Sequence, residues 1–152
     1  MTAVISIALA RRLRAVGLRW TPASGDRFVL PDLEMDDDVF VLSQLTVEVH
    51  HFRTGPVIGF NGTTEWALDS VEQDEALWLP SEGQLRERLG GTFRRLERDR
   101  EAYAVVLEVA GHQVRIEHHD PVEAYGLALL HLITGAPVGD LTGAPPPPAL
   151  RR

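Results

Sequence analysis

The tightest constraint on this chain is the run Val122 to Ile133, VEAYGLALLHLI, in which only Glu123 and His131 can carry charge near neutral pH. A helix lying on a protein surface shows a polar stripe along one side, and this run has almost none. It must be covered on more than one side. Its start is well marked: Asp120 is a good cap, Pro121 suits the first helical position, and Glu123 puts an acid in the first turn. Upstream, Ser81-Glu82-Gly83-Gln84 opens a shorter helix that Gly90-Gly91 stops. Between the two lie three strand-like runs, Phe93 to Glu97, Tyr103 to Val109 and Gln113 to His118, joined by charged or glycine-containing turns. This αβββα unit at the C-terminal end sets the expected class: α+β, an antiparallel meander sheet with helices over 4–16, 81–89 and 121–134 packed on it.

The earlier part of the chain reads as additions to that unit. Ile5, Ala8, Leu9, Leu13 and Val16 recur at helical spacing before Gly17. LRWTP and RFVLP flank the turn-rich Ala23-Ser24-Gly25-Asp26 and predict a hairpin. Pro31 to Asp38 holds five carboxylates and no arginine, and reads as a solvated loop or a docking surface for a basic partner. Strands are predicted at Val39 to Leu42 and Leu45 to Phe52. Asn61-Gly62 predicts a type I′ turn that pairs Phe60 with Thr63. Asp69 to Glu75 reads as a helical turn capped by Ser70. Past Gly135 the Pro/Gly-rich sequence lacks periodicity, which predicts one domain over 1–135 and a flexible tail over 136–152, polyproline II at Pro145 to Pro148.

Composition removes several chemistries. The chain has no cysteine, hence no disulfide, thiolate nucleophile or Cys-ligated zinc. It has no lysine either, since all 15 basic residues are arginine. That excludes a Schiff-base lysine and a P-loop, whose lysine must reach the β/γ-phosphates. Met1 to Ala10 is about half the ~20 residues of a membrane span, and its arginines follow the apolar run rather than precede it. The expectation is a soluble, cytoplasmic protein with no membrane partner. A net charge of −7 disfavours nucleic acid at long range.

Two clusters carry ligand-like chemistry. Glu48 and His50 could meet Glu117 and His119 on one sheet face and hold a metal. Neighbouring strand residues point to opposite faces, so neither His50-His51 nor His118-His119 can grip an ion by adjacency alone. Arg86, Arg88, Arg94, Arg95 and Arg98 form a candidate anion- or partner-binding set, since guanidinium forks suit carboxylates and phosphates. Their bland counterpart is a solvent face neutralised by Glu87, Glu97 and Asp99. His131 reads as a hydrogen-bonded core histidine. Tyr125, Leu129 and Leu132 are the candidate interface of a homodimer, in which a second copy supplies the missing cover for the apolar helix. No catalytic residue and no cofactor is assigned.

At FNGTTEWALDSVEQDEALWLPSEGQLRERLG and AYGLALLHLITG the chain resembles short actinobacterial proteins of about this size, many of them automatically labelled "pilus assembly protein". The resemblance implies no activity, cofactor or functional residue, and the absent P-loop and lysine depart from an ATPase-like pattern. The βββα end is similar in architecture to small phage-type domains, a likeness of fold that licenses no function. The expected role is a non-enzymatic interaction or accessory module whose protein partner is unknown. The alternatives are a small metal-dependent hydrolase using the histidine and carboxylate clusters, and a pilus or secretion accessory without ATPase activity.

Overall fold

The computed structural model describes residues 4–31, 35–42, 49–52, 55–59, 70–72 and 76–141. The Asn61-Gly62 turn, Glu48 and the polyproline stretch lie outside the described residues. In chain order the elements are α1 (Ile7–Ala15), β1 (Arg27–Leu30), β2 (Met35–Val41), β3 (Val49–Phe52), β4 (Gly55–Gly59), β5 (Ser70–Glu72) and β6 (Leu77–Leu79). They continue with α2 (Glu82–Leu89), a 3₁₀ turn (Gly90–Thr92), β7 (Phe93–Asp99), β8 (Ala102–Val109), β9 (His112–His118), α3 (Pro121–Thr134) and α4 (Val138–Leu141). All strand pairs are antiparallel, and the class is α+β with the expected αβββα order at the C-terminal end.

The chain groups into two compact units, one from 1–17 with 82–152 and one from 18–81. The reason lies in α1, which joins the αβββα unit and leaves residues 18–81 to build a core of their own.

In the first unit the sheet order is β7-β8-β9, closed by two-residue loops between Asp99 and Ala102 and between Val109 and His112. Ala110 and Gly111 both sit at positive φ (51° and 80°), as a type I′ hairpin turn requires. α3 lies on β8 and β9 and is flanked by α1, α2 and α4, which gives its apolar run the cover that run demands. Asp120 caps it by accepting from Val122 N at 3.0 Å, and Gly135 ends it at φ 68°. Gly126 marks the place where α1 comes closest: a Cβ there would stand 2.5 Å from Leu9 Cδ2 and 3.3 Å from Ile5 Cγ2. A glycine inside a helix costs about 1 kcal/mol against alanine. Here it allows two helices to meet. The start of α1 is tied to the same helix, because Glu123 accepts from Ser6 N at 2.5 Å and from the Ser6 hydroxyl at 3.0 Å. Ser6 in turn caps Leu9 N at 3.2 Å. In the segment expected to begin a flexible tail, α4 forms instead, with Leu141 buried and its carbonyl accepting from Arg12 Nη1 at 2.7 Å.

The second unit holds two sheets, β2-β1-β6 and β3-β4-β5. Trp20, Phe28, Leu30, Leu42, Ala76 and Trp78 form its described core, with the Phe28 ring 5.5 Å from both Trp20 and Phe40. The predicted LRWTP strand is absent: Leu18–Pro22 run outside the strands, and β1 pairs with β2 and β6. The buried Asp26 explains this. Its Oδ2 accepts from Trp20 Nε1 (2.8 Å) and Ala23 N (2.9 Å), folding 20–26 into a turn rather than an extended partner. Two further expectations change through pairing. Met35–Asp38, read as loop, belongs to β2, with Met35 opposite Leu30; Ser70, read as a helix cap, pairs with Gly59 in β5. Strand pairing outweighed local propensity in both.

Ala110→Asn should raise the melting temperature by about 2–4 °C, since asparagine tolerates the left-handed region better than alanine. Gly126→Val should destabilise the fold by about 1–3 kcal/mol through overpacking against Leu9 and Ile5, read by urea unfolding.

Candidate functional site

The sheet of the first unit has two unlike faces. Leu96, Val105 and Ile116 stand opposite one another on one face, and Phe93 on that side lies 5.6 Å from the Tyr125 ring of α3. On the other face Arg95, Val106 and Arg115 form one row, and Glu97, Ala104 and Glu117 the next. Glu97 accepts from Arg95 Nε at 2.5 Å and pairs with Arg115 across the middle strand. Arg115 Nε donates to Glu117 at 2.9 Å. Under this ladder Ala104 and Val106 are only 1% and 2% exposed. Arg95 and Arg115 hold the Glu97 carboxyl below its ordinary range, Arg95 contributing most. Glu117 first and Glu97 second raise the Arg115 guanidinium above its ordinary value.

The candidate arginines therefore separate. Arg94 pairs with Glu108 at 2.9 Å and donates to the Gly91 carbonyl at 2.9 Å. Arg95 belongs to the ladder. Arg86 on α2 lies 6.0 Å from the Tyr125 ring centroid, and the closeness of that tyrosine is the main cause of its raised pKa. Arg88 shares α2 with it. Arg98 points to the α3 side, its guanidinium carbon 5.6 Å from the Tyr103 ring centroid. The set is a charged border of the unit and not one convergent patch.

The proposed metal ligands are placed as follows. His50 is part of β3, Glu117 is held by Arg115, and His119 lies one residue past the end of β9. Among the described residues no group of three or more His, Asp or Glu is placed to hold a metal ion. His118 and His119, expected on opposite faces, stack at 4.3 Å instead. The strand ends at His118, and the bend that follows frees His119 from alternation. His131 behaves as expected, with Nδ1 2.6 Å from the Ala136 carbonyl oxygen. Of the proposed dimer residues, Tyr125 (1% exposed) and Leu129 (3%) are already covered within the chain, and Leu132 is half-buried. The cover that the dimer was meant to supply comes from α1, α2 and the sheet.

Sequence reasoning treated His118 only as half of a histidine pair; register places it in one row with Tyr103 and Arg98 across three strands. The signal was the two-residue turn after Asp99, which fixes that pairing. Among the described residues no helix is long and apolar enough to cross a membrane. No protein-family model, characterised protein or solved structure matches the chain.

A glutamate with a depressed pKa stabilises the fold above its unfolded value, and that stability is lost as pH falls through the folded value. Glu97→Gln should therefore lower the melting temperature slightly at pH 7 and flatten by the same small amount the loss seen below about pH 4.5, the exposure of the pair keeping both effects small. A pH series of thermal melts reads this directly.

Proposed function

We propose that the protein is a non-enzymatic interaction module that docks a protein partner on the open face of the β7-β8-β9 sheet. The observation that carries this reading is the ladder Arg95–Glu97–Arg115–Glu117, a fixed pattern of alternating charge on an exposed sheet face. Exposed ion pairs add little to stability, so the ladder is not needed to hold the fold. Ordered charges of alternating sign instead favour one register of a partner over others and steer its approach. The outer edge of β7 adjoins this face, and its charged residues discourage unspecific strand pairing.

A metal-dependent hydrolase has one observation in its favour, the stacked His118 and His119 rings. An accessory role in pilus assembly or secretion, without ATPase activity, is a narrower form of the first reading and rests on the resemblance alone.

Native mass spectrometry with elemental analysis of one purified preparation separates these readings. The docking reading expects substoichiometric metal and an Arg95→Glu/Arg115→Glu variant that melts within a few degrees of the parent. Zinc or another transition metal at one equivalent, lost on His119→Ala, would replace it with the hydrolase.

A further inference from the structure

The face of the sheet opposite the ladder holds a second polar arrangement. Arg98, Tyr103 and His118 stand directly opposite one another on β7, β8 and β9. Strands lie ~4.8 Å apart, so the row spans about 10 Å. The Arg98 side chain is exposed, and its guanidinium lies over the ring of the middle residue, 5.6 Å from its centroid. His118 Nδ1 accepts a hydrogen bond from Asp120 N at 2.9 Å. A backbone N–H can only donate, so the neutral ring carries its proton on Nε2, which is left as a donor. His119, stacked on His118 and itself exposed, adds a second imidazole.

Among the described residues, Arg98 has no carboxylate partner and the Tyr103 hydroxyl no acceptor. The nearby acids do not supply one. Asp99 alternates to the other face, Asp120 spends its Oδ1 on Val122 N, and Glu101 sits in the turn beside Arg100. The row is thus a set of donors without acceptors: a guanidinium fork, a phenol and an imidazole N–H, each from a different strand.

We propose that Arg98, Tyr103 and His118, with His119 beside them, bind the phosphate dianion of a small phosphorylated ligand. A carboxylate offers two oxygens in one plane, which a single arginine fork already satisfies. A tetrahedral dianion presents more acceptors in several directions and suits donors spread over three strands. The site is independent of the docking face, because its side chains stand on the other side of the same sheet.

The histidine ring resonances report on it. The protein at pH 8 is titrated with inorganic phosphate, phenyl phosphate, N-acetyl-phosphoserine amide and acetate, following His118 and His119 by NMR. Saturable shifts with phosphate are expected, with acetate at least about tenfold weaker. Arg98→Ala should weaken phosphate binding about tenfold or more and Tyr103→Phe by a few-fold, while Arg95→Ala on the ladder leaves it unchanged. Tighter binding of either ester identifies the source of the phosphate. Equal binding of both esters shows that the phosphate alone is read. Shifts that never saturate, acetate binding as well as phosphate, or an Arg98→Ala protein that binds like the parent would overturn the site. If Arg98→Ala fails to fold, Arg98→Lys, which keeps the charge but loses the fork, and Tyr103→Phe carry the test.

Discussion

The crossing of α1 over α3 at Gly126 is the contact on which the first unit depends. An almost wholly apolar helix has to be roofed, and the sheet beneath can cover only one side. The absent side chain at Gly126 lets Leu9 and Ile5 fill the space above it. The Ser6–Glu123 hydrogen bonds then fix the start of α1 at the start of α3, across a sequence separation of 117 residues. Because the two ends of the chain close on each other this way, residues 18–81 are free to form a unit with its own aromatic core. Within it the buried Asp26 plays the comparable part: one carboxylate replaces the backbone pairing that 20–26 give up by not being a strand.

The same closure decides what the sheet can offer outside. One face is given to α3, so polar chemistry is confined to the opposite face and to the sheet end beyond Asp120. On the open face charge is neutralised pair by pair. At the sheet end it is not, since Arg98 rests on a ring and not on a carboxylate. Two arginines three residues apart on one strand, Arg95 and Arg98, thus have opposite electrostatic surroundings. Composition cannot distinguish them; only register can.

Legibility of the sequence follows the same division. The C-terminal unit was readable because each of its elements carries a local signal that its packing reinforces: a cap at Asp120, a glycine stop at Gly135, and three strands separated by short turns. The failures share a cause. LRWTP is strand-like by composition, yet one aspartate side chain captures its tryptophan and bends it away. Met35 and Ser70 come from stretches with loop or turn chemistry, yet the register sets them opposite Leu30 and Gly59. Candidate sites fared similarly. The arginine stretch was visible as composition, but its division between faces was not. The interface expected at Tyr125, Leu129 and Leu132 rested on a helix that needs cover; Tyr125 and Leu129 are buried within the chain and Leu132 is half-buried.

A single irregularity in β7 makes this division of charge possible. Under strict alternation Phe93 would share a face with Arg95, and Leu96 would lie on the other. The register instead sets Phe93 opposite Leu107 and Leu96 opposite Val105, four residues of β7 against three of β8, with the extra residue at Arg94. This bulge brings Phe93 and Leu96 to the α3 side together and leaves Arg94 to pair with Glu108 at the sheet margin. Without it, either Phe93 would leave Tyr125 for solvent, or Arg95 and Glu97 would be driven under α3 and the ladder would vanish. The packing of one phenylalanine against Tyr125 therefore sets the phase of every charge that follows on the strand. Arg98 meets Tyr103 and His118 because Phe93 had to meet Tyr125.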